Sequence, residues 1–223
     1  MSRRANAALR CPRCRMHASI CVCALIPRIE TKTRVVLVIH RSEDRKPTNT
    51  GRLATECLVN SEVHVRGFRD RPSESLTWDP SSVPLLLFPH EDAEPLSPAM
   101  SASQPVTLIV PDGTWRQASK VHKRVPGLKD IRRVGLPPAS PSVYRLRSEA
   151  HAHGLATIEA IARALGALEG PHVERALLVP FLAMVERTLW VRGEIETSDV
   201  TGGVPEKAMR HDPRSGLATA SRA

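Results

Sequence analysis

Cysteine, aspartate and arginine occur in this sequence at spacings that could do chemistry. The first group is Cys11-x-x-Cys14 followed by Cys21-x-Cys23. Two short-spaced pairs let backbone turns aim two thiolates each at one tetrahedral ion. Zinc suits such an all-sulfur shell because it has no redox chemistry of its own. A closed four-cysteine site would be structural and would staple a segment too short to fold alone. Reduced cysteines in a loop and an iron–sulfur cluster are the competing readings. Cys57 lies on an apolar helix face and reads as a buried small hydrophobe.

The second group is Pro111-Asp112-Gly113-Thr114-Trp115. A carboxylate directly after an apolar strand, followed by a glycine that lets backbone come close, is a plausible general-base position. The same residues could be only a turn and a helix cap. Trp115 could pack in the core or flank a flat ligand. Downstream, Arg116, Lys120, Lys123, Arg124, Lys129, Arg132 and Arg133 place seven cations in eighteen residues, with no acid between 113 and 129. That run favours a phosphate-binding surface over a merely solvated helix.

Three further polar segments interrupt apolar ones. His40 to Gly51 combines Arg41, Arg45 and Lys46 with Thr48-Asn49-Thr50-Gly51. Its helix-start amides could hold an anion, although an N-cap and a basic turn suffice locally. Phe88-Pro89-His90-Glu91-Asp92 ends an apolar run, where the acids could face a cationic ligand or solvent. Tyr144 to Ala160 holds Arg145, Arg147, His151 and His153, then Gly154 and a helix start with Thr157 and Glu159. Without a third ligand, the paired histidines read as solvated.

The elements that must position these groups follow from the apolar pattern. Continuous runs at 35–39, 85–88 and 106–110 suit strands covered on both faces. Helices are expected after Thr48-Asn49-Thr50, any of which could cap, through Leu53 and Cys57, after Asp112 through Trp115, Ala118 and His122, and on the Leu155, Ile158, Ile161, Ala162, Leu165, Leu168 face. A last helix should span about 173–191, with Pro180 kinking or delaying it. Alternating strands and helices predict an α/β fold with a mainly parallel sheet, whose ligands bind at strand carboxyl ends. Seven prolines between 70 and 105 argue against regular structure throughout that stretch.

Composition narrows the function classes. The formal net charge is +9, from 32 Lys plus Arg against 23 Asp plus Glu. That balance favours polyanionic partners, nucleic acid first. Aromatics are 3%, so aliphatic side chains must build the core. No stretch approaches the ~20 apolar residues that span a bilayer. The first ten residues lack the apolar segment of a secretory signal, which makes the cytoplasm the expected compartment and disulfides unexpected. The expected organisation is a zinc-binding segment over 1–30, a catalytic domain over 31–196 and a disordered tail over 197–223.

Taken together, these motifs resemble the DTW-domain family of tRNA-uridine aminocarboxypropyltransferases. The resemblance rests on the two cysteine pairs, Thr48-Asn49-Thr50-Gly51, Leu86-Leu87-Phe88-Pro89 and Asp112-x-Thr114-Trp115. It also rests on Tyr144-x-Leu146-Arg147 and Gly154-Leu155-Ala156-Thr157-x-Glu159-Ala160, and it spans roughly residues 11 to 193. Where many members read His-Pro after the first strand, this chain has His40-Arg41.

The resemblance implies a SPOUT-like fold with a trefoil knot. It also implies S-adenosylmethionine as the donor of its 3-amino-3-carboxypropyl group, and N3 of a tRNA uridine as acceptor. It places Asp112 as general base or uracil-positioning group. Phe88, Pro89, Gly113, Thr114, Trp115, Leu146, Arg147, Leu155, Ala156 and Thr157 become donor-site walls. Arg45, Lys46, Asn49, Arg116, Lys120, Lys123 and Arg124 become the tRNA contacts, and Cys11, Cys14, Cys21 and Cys23 the zinc ligands. An RNA methyltransferase on the same scaffold and a non-catalytic zinc-binding RNA adaptor are the alternatives.

Overall fold

The computed structural model describes residues 9–137, 140–146 and 154–210. Its strands are β1 (Arg34–His40), β2 (Ser61–Arg66), β3 (Val83–Leu87), β4 (Glu94–Pro95), β5 (Val106–Asp112) and β6 (Arg132–Gly135). They form one sheet in the order β2-β1-β5-β3-β6-β4, and every pairing is parallel. The helices are α1 (Arg41–Asp44), α2 (Thr50–Cys57), α3 (Trp115–Ala118), α4 (Val121–Arg124), α5 (Thr157–Glu169) and α6 (Pro171–Val191).

The apolar runs occupy the middle of this sheet, as their continuity requires. All seven residues of β5 are buried, and so are the middle five of β1. One face packs against α2, α5, α6 and the cysteine segment, in a cluster that includes Leu37, Leu85, Leu108, Ile161, Leu165 and Phe181. On the other face, Val36, Val38, Leu86 and Ile109 meet Leu76, Val121, Val125 and Leu128. The sheet is thus sealed on both sides, which is the normal condition of a parallel sheet.

The structure departs from the sequence expectations at several places. β2, β4 and β6 were not expected: the edge strands β2 and β4 read as polar or very short, and β6, between β3 and β4, is four residues that begin with two arginines. The helix after Asp112 is two helices, α3 and α4, each four residues long. α6 is continuous from Pro171, so Pro180 does not delay it, and that proline is buried inside the helix. Residues 197–210 correct the expected disordered tail. Thr197–Asp199 form a 3-10 turn, Val200 and Ala208 join the core, and the Trp190 indole donates to Thr197 Oγ1 at 2.9 Å. Among the described residues, no helix is long and apolar enough to cross a membrane.

Candidate active site and metal centre

The carboxyl ends of β3 and β5, with Glu43 of α1 just beyond β1, open on one cleft of about 330 Å³. β5 delivers Asp112 to its floor, in register with Ile39 of β1. Asp112 is 6% exposed, so its charge must be met by protein groups. Asn49 donates from Nδ2 to Asp112 Oδ2 at 2.7 Å, and Thr157 donates from Oγ1 to Oδ1 at 3.0 Å. Asn49 also accepts from the Arg52 amide at 2.8 Å, capping α2. The Ile158 amide donates to Thr50 Oγ1 at 3.5 Å. The N-termini of α2 and α5 therefore converge on the carboxylate, and their dipoles favour its negative charge.

Gly51 makes that convergence possible. A Cβ at this position would lie 2.6 Å from Asp112 Oδ2 and 3.0 Å from a Leu37 methyl. In the sequence Gly51 shows only as a turn glycine, because the close approach is made by packing.

Trp115 lies on the cleft rim, 44% exposed, with its ring centroid 5.0 Å from that of Phe88. Phe88 is buried and in turn packs on His90 at 4.8 Å, and His90 meets His122 edge-on at 4.9 Å. Trp115 is thus a cleft wall backed by an aromatic stack, not a core residue. Burial, reinforced by Arg133, holds both imidazoles below their usual pKa.

The opposite wall is set by Glu159, which is 3% exposed. Its carboxylate accepts from Ser142 Oγ at 2.6 Å, from the Val143 amide at 2.8 Å and from the Ala156 amide at 2.8 Å. These bonds fix the Tyr144 segment to the start of α5. The Tyr144 hydroxyl reaches the Thr48 carbonyl at 3.4 Å. Glu43, Thr48 and Tyr144 also line the cleft, and none of the three was singled out as a site residue.

Of the expected donor-site residues, Phe88, Gly113, Thr114, Trp115, Leu155, Ala156 and Thr157 line the cleft. Pro89 and Leu146 do not; Pro89 is exposed and Leu146 packs against the core. Arg147, His151 and His153 lie outside the described residues. Asn49, expected to touch RNA, is buried and serves Asp112 instead. Arg45, Arg116, Lys120, Lys123, Arg124 and Lys129 are exposed. Lys46 is exposed but pairs with Glu43 at 2.7 Å. Arg132 and Arg133 leave the basic surface: they sit on β6 and pair with Glu94 and Asp92.

The four cysteines converge as their spacing predicts, with all four Sγ atoms within 4.8 Å of one another. Cys11 and Cys23 are 3.4 Å apart at sulfur, Cys14 and Cys21 3.5 Å. A tetrahedral zinc with ~2.3 Å bonds needs sulfurs roughly 3.8 Å apart, so the donor set fits that ion closely. Arg15, at φ 62, makes the tight turn after the first pair. Burial alone would push the Cys11 thiol up, but amides of Cys14 and Arg13 and the neighbouring sulfurs outweigh it and bring it to about 6. Burial and the adjacent Cys11 push Cys23 the other way. A divalent cation would supply the charge needed to hold all four as thiolates. Cys57 stands apart, buried, its thiol pushed up to about 12 by that burial.

A parallel α/β sheet whose strand ends open on a cleft around a gripped carboxylate is the architecture of proteins that bind ligands at strand carboxyl ends. The DTW domain model matches residues 8–189, and the chain belongs to that family. It is 27% identical over 180 residues to tRNA-uridine aminocarboxypropyltransferase 2 of Drosophila melanogaster, covering 77% of this chain and 71% of that one. It is 29% identical over 211 residues to tRNA-uridine aminocarboxypropyltransferase A of Arabidopsis thaliana, covering 78% and 79%. Among solved structures, the SAM-dependent rRNA:acp-transferase Tsr3 from Vulcanisaeta distributa is similar at 20% identity and a TM-score of 0.45, covering 71% of this chain and 78% of that one.

Proposed function

We propose that this chain moves the 3-amino-3-carboxypropyl group of S-adenosylmethionine to N3 of a tRNA uridine and releases methylthioadenosine. The observation that carries this reading is a contrast of charge. Asp112 and Glu43, the latter paired with Lys46, line the cleft, and no Lys, Arg or His is among its described lining residues. Beside it, Arg116, Lys120, Lys123 and Arg124 are exposed and form no ion pair among the described residues. A carboxylate-lined hollow suits a donor bearing a sulfonium and an ammonium, and the basic surround suits a polyanionic acceptor. The names of the relatives point to the same reaction.

Trp115, backed by Phe88, offers a flat wall to the donor, and Leu155 and Ala156 close the opposite side. Gly113 and Thr114 let backbone approach between them. Asn49 and Thr157 hold Asp112 in one orientation, from which it accepts the N3 proton of the uracil. As the N3–carbon bond forms, the carbon–sulfur bond breaks and its electron pair stays on sulfur, leaving a neutral thioether. A sulfonium is already a good leaving group, so the work of the site is orientation: one of three sulfur-bound carbons must stand in line with N3. The uracil must leave its stack to reach Asp112. Cys11, Cys14, Cys21 and Cys23 would hold a structural zinc away from this chemistry.

Mass spectrometry of products from purified protein, tRNA and S-adenosylmethionine tests the reading. Methylthioadenosine with an aminocarboxypropyl-uridine is expected. S-adenosylhomocysteine with a methylated base would assign a methyltransferase instead. Binding of tRNA with neither product would leave an RNA adaptor.

A further inference from the structure

The end of β2 and the loop behind it carry cations that the cleft does not use. Arg66 closes β2, is 3% exposed, and donates from Nη2 to the Gln117 carbonyl at 2.6 Å. That bond ties the strand end to α3. Its Nε has no partner among the described residues, and Arg124 of α4 stands near enough to add to the effect of burial in lowering its pKa. Farther along, the Leu76 amide donates to the Pro126 carbonyl at 3.2 Å. Gly127, at φ +91, packs so closely on the Leu76 carbonyl that a Cβ there would lie 2.8 Å from it. The chain between Arg66 and Leu76 is therefore anchored at both ends along the α3–α4 pair.

That chain holds Phe68, Arg69 and Arg71. Both arginines are exposed and neither forms an ion pair among the described residues. The Arg71 guanidinium lies 4.2 Å over the Phe68 ring. Such stacking fixes the plane of the guanidinium and leaves its edge donors free for paired bonds to phosphate oxygens. Asp70 is the acid between them, and Glu74 stands near enough to His64 of β2 to oppose the lowering of its pKa by burial.

We propose that the loop over residues 67–75 and the α3–α4 helices form one phosphodiester-docking surface. It starts at the cleft rim, where α3 carries both Trp115 and Arg116, and runs out to the β2 edge at Arg69 and Arg71. Its partner is the sugar-phosphate backbone of the acceptor RNA, contacted without regard to base sequence. The proposal rests on the reading that tRNA is the acceptor. It adds Arg69 and Arg71 as contacts beyond the uridine, and Arg66 as the residue that positions their loop.

The test compares wild type, R69Q/R71Q, R69K/R71K and K120Q/R124Q, each as the full metal-loaded chain. Their tRNA affinity is measured across a salt series, together with kcat and the KM for each substrate. R69Q/R71Q should weaken tRNA binding about five- to tenfold near physiological salt and flatten the salt dependence by about one to two counterions. kcat at saturating tRNA and the KM for S-adenosylmethionine should stay at wild-type values. The lysine pair should recover most of the affinity, since phosphate attraction needs the charge first. Unchanged affinity and salt slope in R69Q/R71Q, with K120Q/R124Q weakened, would overturn the proposal and leave the transferase reading standing. A wild-type protein that makes no modified uridine would sink that reading itself.

Discussion

At the scale of single residues, the site stands or falls on how Asp112 is held. Both its oxygens accept from buried or half-buried donors, Asn49 and Thr157. Asp112→Ala strands those donors, and transfer should fall by about 10²–10⁴-fold if the carboxylate takes the N3 proton. Methylthioadenosine release by a variant that still melts cooperatively is the measurement; activity within a few-fold of wild type would remove Asp112 from the chemistry. Two glycines give a sharper contrast. Gly51→Ala forces a methyl to 2.6 Å from Asp112 Oδ2 against packed Leu37, whereas Gly113→Ala meets the Gln117 side-chain oxygen at 2.9 Å. The Gln117 amide can swing aside at the loss of its bond from the Thr114 amide, leaving a 3.0 Å approach to Gln117 Cβ that a few tenths of an ångström relieve, whereas a gripped carboxylate cannot move away. Gly51→Ala should therefore lose most activity and some thermal stability, and Gly113→Ala should lose much less of both. The sequence exposed Asp112 through its place after an apolar strand. It left Trp115 open between wall and core, because an isolated aromatic after a turn carries no periodicity to decide. It hid the role of Gly51 entirely, since close approach between residues 51 and 112 is a fact of packing.

At the scale of elements, legibility followed burial. β1, β3 and β5 are central and read as unbroken apolar runs. β2 alternates as Ser61-Glu62-Val63-His64-Val65-Arg66, with five of its six residues only half-buried, and edge strands of that kind resemble surface loops. The pairing of Arg132 and Arg133 with Glu94 and Asp92 belongs to the same blind spot: cations counted toward RNA were holding β4 and the loop before it. The element whose placement matters most to the cleft is α5, and Glu159 in its first turn is the clip. Its three donors come from Ser142, Val143 and Ala156, on both sides of the segment that precedes the helix. Glu159→Gln turns one acceptor oxygen into a donor facing a donor, which costs about 1–3 kcal/mol for an unsatisfied buried group. The expected result is a lower melting temperature together with a raised KM for S-adenosylmethionine. If KM stays constant while stability drops, Glu159 holds the fold without shaping the cleft.

At the scale of the whole molecule, the cysteine segment and the residues after α6 are joined through one buried charge. Arg187 of α6 is 5% exposed and donates to the Cys21 carbonyl, to the Gly203 carbonyl at 3.0 Å and to the Gly202 carbonyl at 3.3 Å. It has no carboxylate partner among the described residues. Burial lowers its pKa, and the sulfurs of Cys21 and Cys14 oppose that. No sequence pattern announced this link, because it joins residues 21, 187 and 202–203 only through packing. A centre of four thiolates and one divalent cation would carry two net negative charges, so it would serve as the counter-charge that Arg187 otherwise lacks. Breaking a buried charge pair is costly, about 3–5 kcal/mol when one partner is removed. Stripping the metal should therefore loosen not only the cysteine turns but also residues 200–203, far away in sequence, while β1 and β5 keep their protection. Hydrogen exchange before and after chelation reads this directly, with metal content measured on the same samples. Faster exchange at 200–203, reproduced by Arg187→Met with metal still bound, is the expected pattern. Metal-free protein whose 200–203 amides exchange as slowly as before would show that carbonyl bonding alone satisfies Arg187.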